Sequence, residues 1–192
     1  MRTRIKICGI TSIEDAALAV SAGADAIGLV FYERSPRYVD PTQAAMIAAT
    51  VPPLVDVVGV FVNAKKEQID QVTQEVPISV LQFHGDETSV ACEQFNKPYI
   101  KALRMSDSAD PRLVVTAHPR LGALLLDTYQ EEAVGGTGRM FDWSRARLGL
   151  QVPIILAGGL RSENIQEALS ICGPFGVDVS SGVESAPGRK EA

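Results

Sequence analysis

The sequence predicts an α/β chain closed into a (β/α)8 barrel, the TIM-barrel architecture, on three observations. Short apolar runs alternate with longer alanine-rich or charged segments from one end of the chain to the other. Several of those runs are continuously apolar, as expected for strands covered on both faces of a parallel sheet. The glycine-rich turns come late, with Gly158-Gly159 after the seventh run and Ser180-Ser181-Gly182 after the eighth. An open nucleotide-binding sheet would carry its phosphate loop after the first strand. Here that strand is followed by Cys8-Gly9-Ile10-Thr11, so the closed barrel is preferred to the open doubly wound sheet.

The strand-like runs are 4–8, 26–31, 55–62, 78–83, 99–103, 123–127, 154–156 and 175–179. Helix-like segments lie between them at 12–21, 41–49, 65–75, 87–95 and 162–171, with a weaker one at 142–148. Thr11 or Ser12 ahead of Glu14-Asp15, Asp40 ahead of Pro41, and Ser162-Glu163 each read as an N-cap followed by early acid or proline. Segment 106–119 is polar and then briefly apolar, and its pattern specifies neither element. No linker-like shift in composition divides the chain, so 1–192 reads as one domain.

Of the 192 residues, 46% are hydrophobic and 21% charged, which sets the chain apart from disordered and low-complexity sequences. The 18 basic and 23 acidic residues leave a net charge of −5. That balance argues against nucleic acid or an anionic membrane as partner, while leaving room for a local pocket for one small anion. Cys8, Cys92 and Cys172 are far apart and the only histidines are His84 and His118, so no zinc-ligand spacing exists and no metal is expected. The sparse, odd cysteine count suits a reducing compartment. The N-terminus does not read as a signal peptide and no run reaches the length of a membrane span. A cytoplasmic location follows as the expectation.

Barrel active sites gather at the C-terminal ends of the strands. The polar residues expected there are Cys8, the Ser35-Pro36-Arg37-Tyr38 loop, Asn63, Gln82 with His84, Arg104, Asp127 and the two late loops. Each has a plainer reading. An apolar-flanked cysteine usually fills a core, an aspartate ending a strand usually caps a turn, Arg37 reads equally as a solvated charge, and Gly158-Gly159 as a tight turn. Glycine also lets backbone N–H groups approach an anion, and in barrels the loops after strands 7 and 8 are the usual phosphate site. Gly158, Gly159, Ser180, Ser181 and Gly182 are therefore candidate phosphate ligands.

Eight local matches then run in order along nearly the whole chain. They are Lys-Ile-Cys-Gly-Ile at 6–10, Gly-Leu-Val-Phe with Ser-Pro-Arg-Tyr-Val within 28–39, Gly-Val-Phe-Val-Asn at 59–63, and Leu-Gln-Phe-His-Gly at 81–85. The others are Leu-Leu-Leu-Asp at 124–127, Gly-Gly-Thr-Gly with Phe-Asp-Trp within 135–143, Leu-Ala-Gly-Gly-Leu at 156–160, and Gly-Val-Asp-Val-Ser-Ser-Gly-Val-Glu at 176–184. Together they resemble the phosphoribosylanthranilate isomerase family. The resemblance implies an intramolecular aldose–ketose isomerase of tryptophan biosynthesis. Its reaction is the Amadori rearrangement of N-(5′-phosphoribosyl)anthranilate to 1-(2-carboxyphenylamino)-1-deoxyribulose 5-phosphate, with a phosphosugar substrate and no cofactor. It further implies Cys8 as general base, Asp127 as general acid and Arg37 as the holder of the anthranilate carboxylate. His84 stays divided between substrate contact and structural support and is left outside the catalytic set. Self-association into a homo-oligomer is left open. Two other functions are weighed. The sugar isomerase barrel of histidine biosynthesis has an aspartate-like base where this chain has Cys8, and a phosphosugar-binding module without catalysis would need neither Cys8 nor Asp127.

An ordinary thiol is mostly protonated at neutral pH and an ordinary aspartate mostly ionised. Both implied roles therefore call for shifts, Cys8 downward through a nearby cation or amide dipoles and Asp127 upward through desolvation or a neighbouring carboxylate. Lys6 shares strand parity with Cys8, and Asp178 shares it with Ser180, so alternation predicts a buried Lys6–Asp178 ion pair beneath the site. The resemblance also implies a final helix beyond the Pro187-Gly188-Arg189-Lys190 stretch, and only Glu191-Ala192 follow here. With that helix missing or truncated, Ile5, Ile7, Phe175, Val177 and Val179 are expected to lose cover, and a longer natural chain or a covering subunit is the expectation that follows.

Overall fold

The computed structural model describes residues 2–128, 142–146 and 149–191, with only the backbone of Thr128. Eight parallel strands close into a barrel in sequential order, β1 pairing with both β2 and β8. They are β1 (Arg4–Cys8), β2 (Ala26–Val30), β3 (Asp56–Phe61), β4 (Val80–Phe83), β5 (Tyr99–Met105), β6 (Ala123–Thr128), β7 (Ile154–Leu156) and β8 (Gly176–Val179). Helices α1 (Ile13–Ser21), α2 (Pro41–Ala48), α3 (Lys66–Glu75), α4 (Ser89–Glu93), α5 (Pro111–Ala117) and α6 (Ile165–Cys172) lie between strands. A 3-10 turn, Trp143–Ala146, precedes β7. After β8 come a second 3-10 turn, Ser181–Val183, and a hairpin of β9 (Glu184–Ala186) and β10 (Arg189–Lys190).

Local chemistry accounts for most element starts. The Ser12 side chain accepts from the Asp15 amide and the Asp40 carboxylate from the Gln43 amide, with Pro41 opening α2. Each cap satisfies an amide that the first helical turn leaves without a partner. Ser162 does not cap α6. That place falls to Asn164, whose side chain instead spans the preceding loop, accepting from the Arg161 amide and donating to the Gly159 carbonyl. Segment 106–119 contains α5, capped by Asp110 with Pro111 at its first turn. Its two-residue signal is short, and a seven-residue helix carries little periodicity to read.

Two apolar layers result. Inside the barrel Val58, Ile100, Ala102, Ala123, Leu125, Ile155 and Ala157 pack together, while a larger cluster joins the outer strand faces to the helices. The seam between β8 and β1 departs from expectation in part. Phe175 is 44% exposed, but Val177 and Val179 are buried within the same cluster as Ala168 and the partly buried Leu169 of α6. Ile5 and Ile7 are half-buried. Of the five side chains expected to lose cover, two are therefore buried, two half-buried and one exposed.

Candidate active site

Register places the first cluster. Lys6 lies directly beside Asp178 across the β1–β8 pair, so both side chains enter the barrel. Their ion pair forms as alternation predicts, with Lys6 Nζ 2.8 Å from Asp178 Oδ1 and both side chains at least nine-tenths buried. The ammonium also reaches the Cys8 thiol. A Cβ on Gly28, in the neighbouring strand, would fall 2.7 Å from Cys8 Sγ and 3.1 Å from Lys6 Nζ. The absence of a side chain at Gly28 is what lets these groups share one level of the barrel.

The thiol is not shifted as the sequence reading required. Burial pushes the Cys8 thiol up; Lys6 opposes this, Asp178 adds to it, and Lys190 opposes it in turn, leaving it above the ordinary value. Lys6 itself is opposed by burial, but the Asp178 carboxylate and the Cys8 sulfur outweigh that cost and hold its ammonium above the usual range. The correction has a simple cause. The same enclosure that brings the cation close also removes the water that would solvate a thiolate.

Arg37 arrives from the loop after β2. Its stem crosses Gly9, where a Cβ would meet Arg37 Cδ at 2.4 Å and where φ is +75°. Its guanidinium pairs with Glu184, Nε donating at 2.9 and 3.2 Å and Nη2 at 2.5 Å. Lys190, from β10, donates to the same carboxylate at 2.7 Å, to the Cys8 carbonyl at 2.5 Å and to the Ser180 carbonyl at 3.3 Å.

Across the barrel mouth, β4 and β6 supply a second chain of polar groups. Gln82 Nε2 stands 3.0 Å from His84 Nδ1, and His84 Nε2 stands 3.0 Å from Asp127 Oδ2. The sequence reading expected a carboxylate or apolar walls beside Asp127, and the structure gives it a histidine. Gln82 is almost wholly buried, and its Oε1 has no partner among the described residues. Asp127 is paired in register with Arg104 of β5.

The two late loops meet. A Cβ on Gly182 would fall 1.9 Å from the Leu160 carbonyl oxygen, while Gly158 and Gly159 have φ of +82° and +68°. Ser180 Oγ is buried without a partner among the described residues, 3.1 Å from where a Cβ of Gly9 would be. Gly159 and Ser181 are exposed, so their backbones are accessible from the mouth. The structure therefore gathers Cys8, Arg37, Ser180, Ser181 and Gly182 around β1 and β8, with Gly158 and Gly159 adjoining and Asp127 opposite. The Gly135-Gly136-Thr137-Gly138 match and Phe141 lie outside the described residues, as do residues 147 and 148 of the weaker helix-like segment.

Four residues of this mouth had no assigned role: Gln82, His84, Glu184 and Lys190. Gln82 and His84 share strand parity, and a glutamine inside an apolar strand signals a buried hydrogen-bond partner. Glu184 and Lys190 lie after the last barrel strand, where alternation has nothing to say. Cys92 is buried, its thiol pushed up to about 12 by burial, which suits an inert core position. Among the described residues no group of three His, Cys, Asp or Glu side chains comes together as a metal site requires, and no helix is long and apolar enough to cross a membrane.

Comparison with known proteins finds relatives that match nearly the whole chain. The family model described as N-(5′phosphoribosyl)anthranilate (PRA) isomerase matches residues 5–192. An N-(5′-phosphoribosyl)anthranilate isomerase of Pseudomonas fluorescens strain Pf-5 is 53% identical over 188 residues, covering 98% of this chain and 90% of that protein. The Thermotoga maritima phosphoribosyl anthranilate isomerase structure superposes with a TM-score of 0.90 at 40% identity, covering 99% of this chain and 93% of its own. A further structure of that enzyme, at 38% identity and a TM-score of 0.85 over 98% and 92% of the chains, is described as monomers generated from a dimeric protein. A phosphoribosyl anthranilate isomerase in complex with reduced 1-(o-carboxyphenylamino)-1-deoxyribulose 5-phosphate is 39% identical with a TM-score of 0.84 over 99% and 93%.

Proposed function

The chain belongs to the N-(5′-phosphoribosyl)anthranilate isomerase family, and from that membership we propose how the residues at this barrel mouth divide the work of the reaction. The enzyme converts N-(5′-phosphoribosyl)anthranilate into 1-(2-carboxyphenylamino)-1-deoxyribulose 5-phosphate, a step of tryptophan biosynthesis. Asp127 donates a proton to the ribose ring oxygen. The C1′–O bond breaks as the anthranilate nitrogen lone pair forms the iminium. Cys8, as thiolate, then takes the C2′ proton; the resulting enolamine receives a proton back from the Cys8 thiol at C1′ while its C2′ hydroxyl yields a proton to the Asp127 carboxylate and becomes the ketone, which restores both groups. Protons and electrons balance without an external oxidant or reductant.

The observation that carries this division is the placement of Cys8 and Asp127 at the ends of β1 and β6, which are separated in the closed sheet by β7 and β8 on one side. A sugar lying across the mouth meets an acid on one side and a base on the other. Lys6 supplies the cation beside the thiol, and the iminium acidifies C2′, so a modest thiolate fraction is enough. Arg37 takes the anthranilate carboxylate. The phosphate sits over Gly158, Gly159, Ser180, Ser181 and Gly182, a glycine-rich rim where the backbone can approach an anion closely. The test follows loss of phosphoribosylanthranilate fluorescence on adding purified protein. Activity in the parent and its loss in both Cys8→Ala and Asp127→Asn is the expected result; either variant keeping more than about a tenth of the rate would remove its residue from the assigned role.

We read the chain as one barrel domain acting in the cytoplasm on a small phosphosugar, in homo-oligomeric form. The N-terminal end of the barrel supports that last point. It opens into an apolar cavity of about 790 Å³ whose lining includes Val58, Val80, Ile100, Ile155, Phe175 and Leu54. Leu54 is fully exposed. Light scattering that finds only monomer at micromolar concentration would refute self-association.

A further inference from the structure

Two residues beside the site carry charge that the reaction does not use. Glu184 and Lys190 each expose only 3% of their side chains. Glu184 accepts from Arg37 Nε and Nη2, from Lys190 Nζ, and from the Gly188 amide at 3.3 Å. Burial opposes its charge, but the Arg37 and Lys190 hydrogen bonds and charges outweigh burial and hold the carboxyl at about 2. It is therefore a fixed anion throughout the physiological range.

The geometry decides what Arg37 can still do. Glu184 occupies the Nε–Nη2 edge of the guanidinium, and Nη1 has no acceptor among the described residues. The Nη1–Nη2 edge remains, and a guanidinium edge with two parallel N–H groups matches one carboxylate. Charge points the same way. Arg37 and Glu184 alone would cancel, leaving no net attraction for an incoming anion. Lys190 adds one positive charge, so the triad carries a net +1 and is matched by a single carboxylate.

We propose that Glu184 and Lys190 are the positioning pair that selects the aglycone: Glu184 orients the free edge of Arg37, and Lys190 restores the positive charge that recognises a carboxylate ortho to the amine. The same lysine ties the Cys8 and Ser180 carbonyls together, so the aglycone clamp, the end of β1 and the start of the last phosphate loop share one anchor. The proposal rests on the assignment of Arg37 to the substrate carboxylate.

Its test uses two probes, reduced 1-(o-carboxyphenylamino)-1-deoxyribulose 5-phosphate and the same molecule without the ring carboxyl, with affinities measured by calorimetry. The parent protein should prefer the carboxylated probe by on the order of 10- to 100-fold, the range of a charge-assisted pair. In Glu184→Gln that preference should fall to within about threefold while affinity for the carboxyl-free probe holds within the same factor. The double variant Glu184→Gln/Lys190→Met removes one buried charge of each sign and keeps the net charge at +1, so the loss of preference expected there reports the lost orientation of Arg37 alone. It carries the test if the single variant does not fold. Arg37→Ala should lose the preference as well. A variant pair that keeps full preference, or weakens both probes equally, overturns the positioning role and leaves the Arg37 assignment standing. Retained preference in Arg37→Ala overturns that assignment and the proposal with it.

Discussion

His84 Nε2 lies 3.0 Å from Asp127 Oδ2, and Gln82 Nε2 lies 3.0 Å from the other ring nitrogen. With the glutamine amide donating to Nδ1, the ring's N–H is at Nε2 and donates a hydrogen bond to Asp127 Oδ2, leaving Oδ1 for the proton that the acid delivers. The aspartate is thereby aimed from below by a residue that is itself aimed. Asp127→Asn should lower turnover by roughly 10²–10⁴. His84→Ala should also slow the enzyme, but adding it to Asp127→Asn should cost little more, since the histidine acts through the carboxylate. Independent, multiplying losses in steady-state rates would show that His84 works separately.

The base should reveal itself in the pH profile. Because burial holds the Cys8 thiol above its ordinary value, the thiolate fraction and the base-limited rate should rise with pH through the usual thiol range. Lys6 favours the thiolate more strongly than Asp178 opposes it. Replacing both, as Lys6→Met/Asp178→Asn, should move the alkaline limb to still higher pH. Removing the two charges together avoids the cost of about 3–5 kcal/mol expected when one partner of a buried pair is left alone. A limb that stays in place would separate Lys6 from the base.

Gly28→Ala tests the shared level of the barrel directly. Its methyl group would stand 2.7 Å from Cys8 Sγ and 3.1 Å from the Cys8 Cα. The sulfur is the end of a short side chain and the Cα belongs to a strand, so neither yields easily. Overpacking of this kind typically costs about 1–3 kcal/mol. A folded protein with a lowered melting temperature and strongly reduced activity is expected; normal activity would show that Cys8 has room to move.

Acid should weaken the hairpin that follows the barrel. The Glu184 carboxyl is held at about 2 against an ordinary 4.5. A group with a depressed folded value stabilises the fold above its unfolded value and loses that contribution as pH falls toward the folded one. Glu184 therefore supports stability above about pH 4.5, and that support drains away down to about pH 2. Asp25, bound by Arg2, Arg4 and the Ile5 amide, is depressed in the same sense at the opposite end of the barrel. Denaturant titrations between pH 6 and 3 should show a steeper loss for the parent than for Glu184→Gln/Lys190→Met. Parallel curves would remove Glu184 from the acid response.

Much of this molecule is written in local pattern. Continuous apolar runs mark strands buried on both faces, strand ends mark the candidate catalytic rim, and alternation along β1 and β8 sets Lys6 against Asp178. Ser12 and Asp40 announced their helices because capping is an interaction within one turn of chain. The missed features are those where partners come from separate elements. Gln82 and Asp127 sit on β4 and β6, with His84 just past the end of β4, and only closure of the barrel points them at one another. Glu184 and Lys190 lie on a hairpin beyond the last barrel strand, where periodicity ends, and only folding that hairpin over β1 brings them to Arg37 and the Cys8 carbonyl. The direction of the Cys8 shift was also a tertiary matter. A sequence shows that a lysine shares a face with a thiol, but the balance between its charge and the lost water depends on how completely the surrounding strands enclose both.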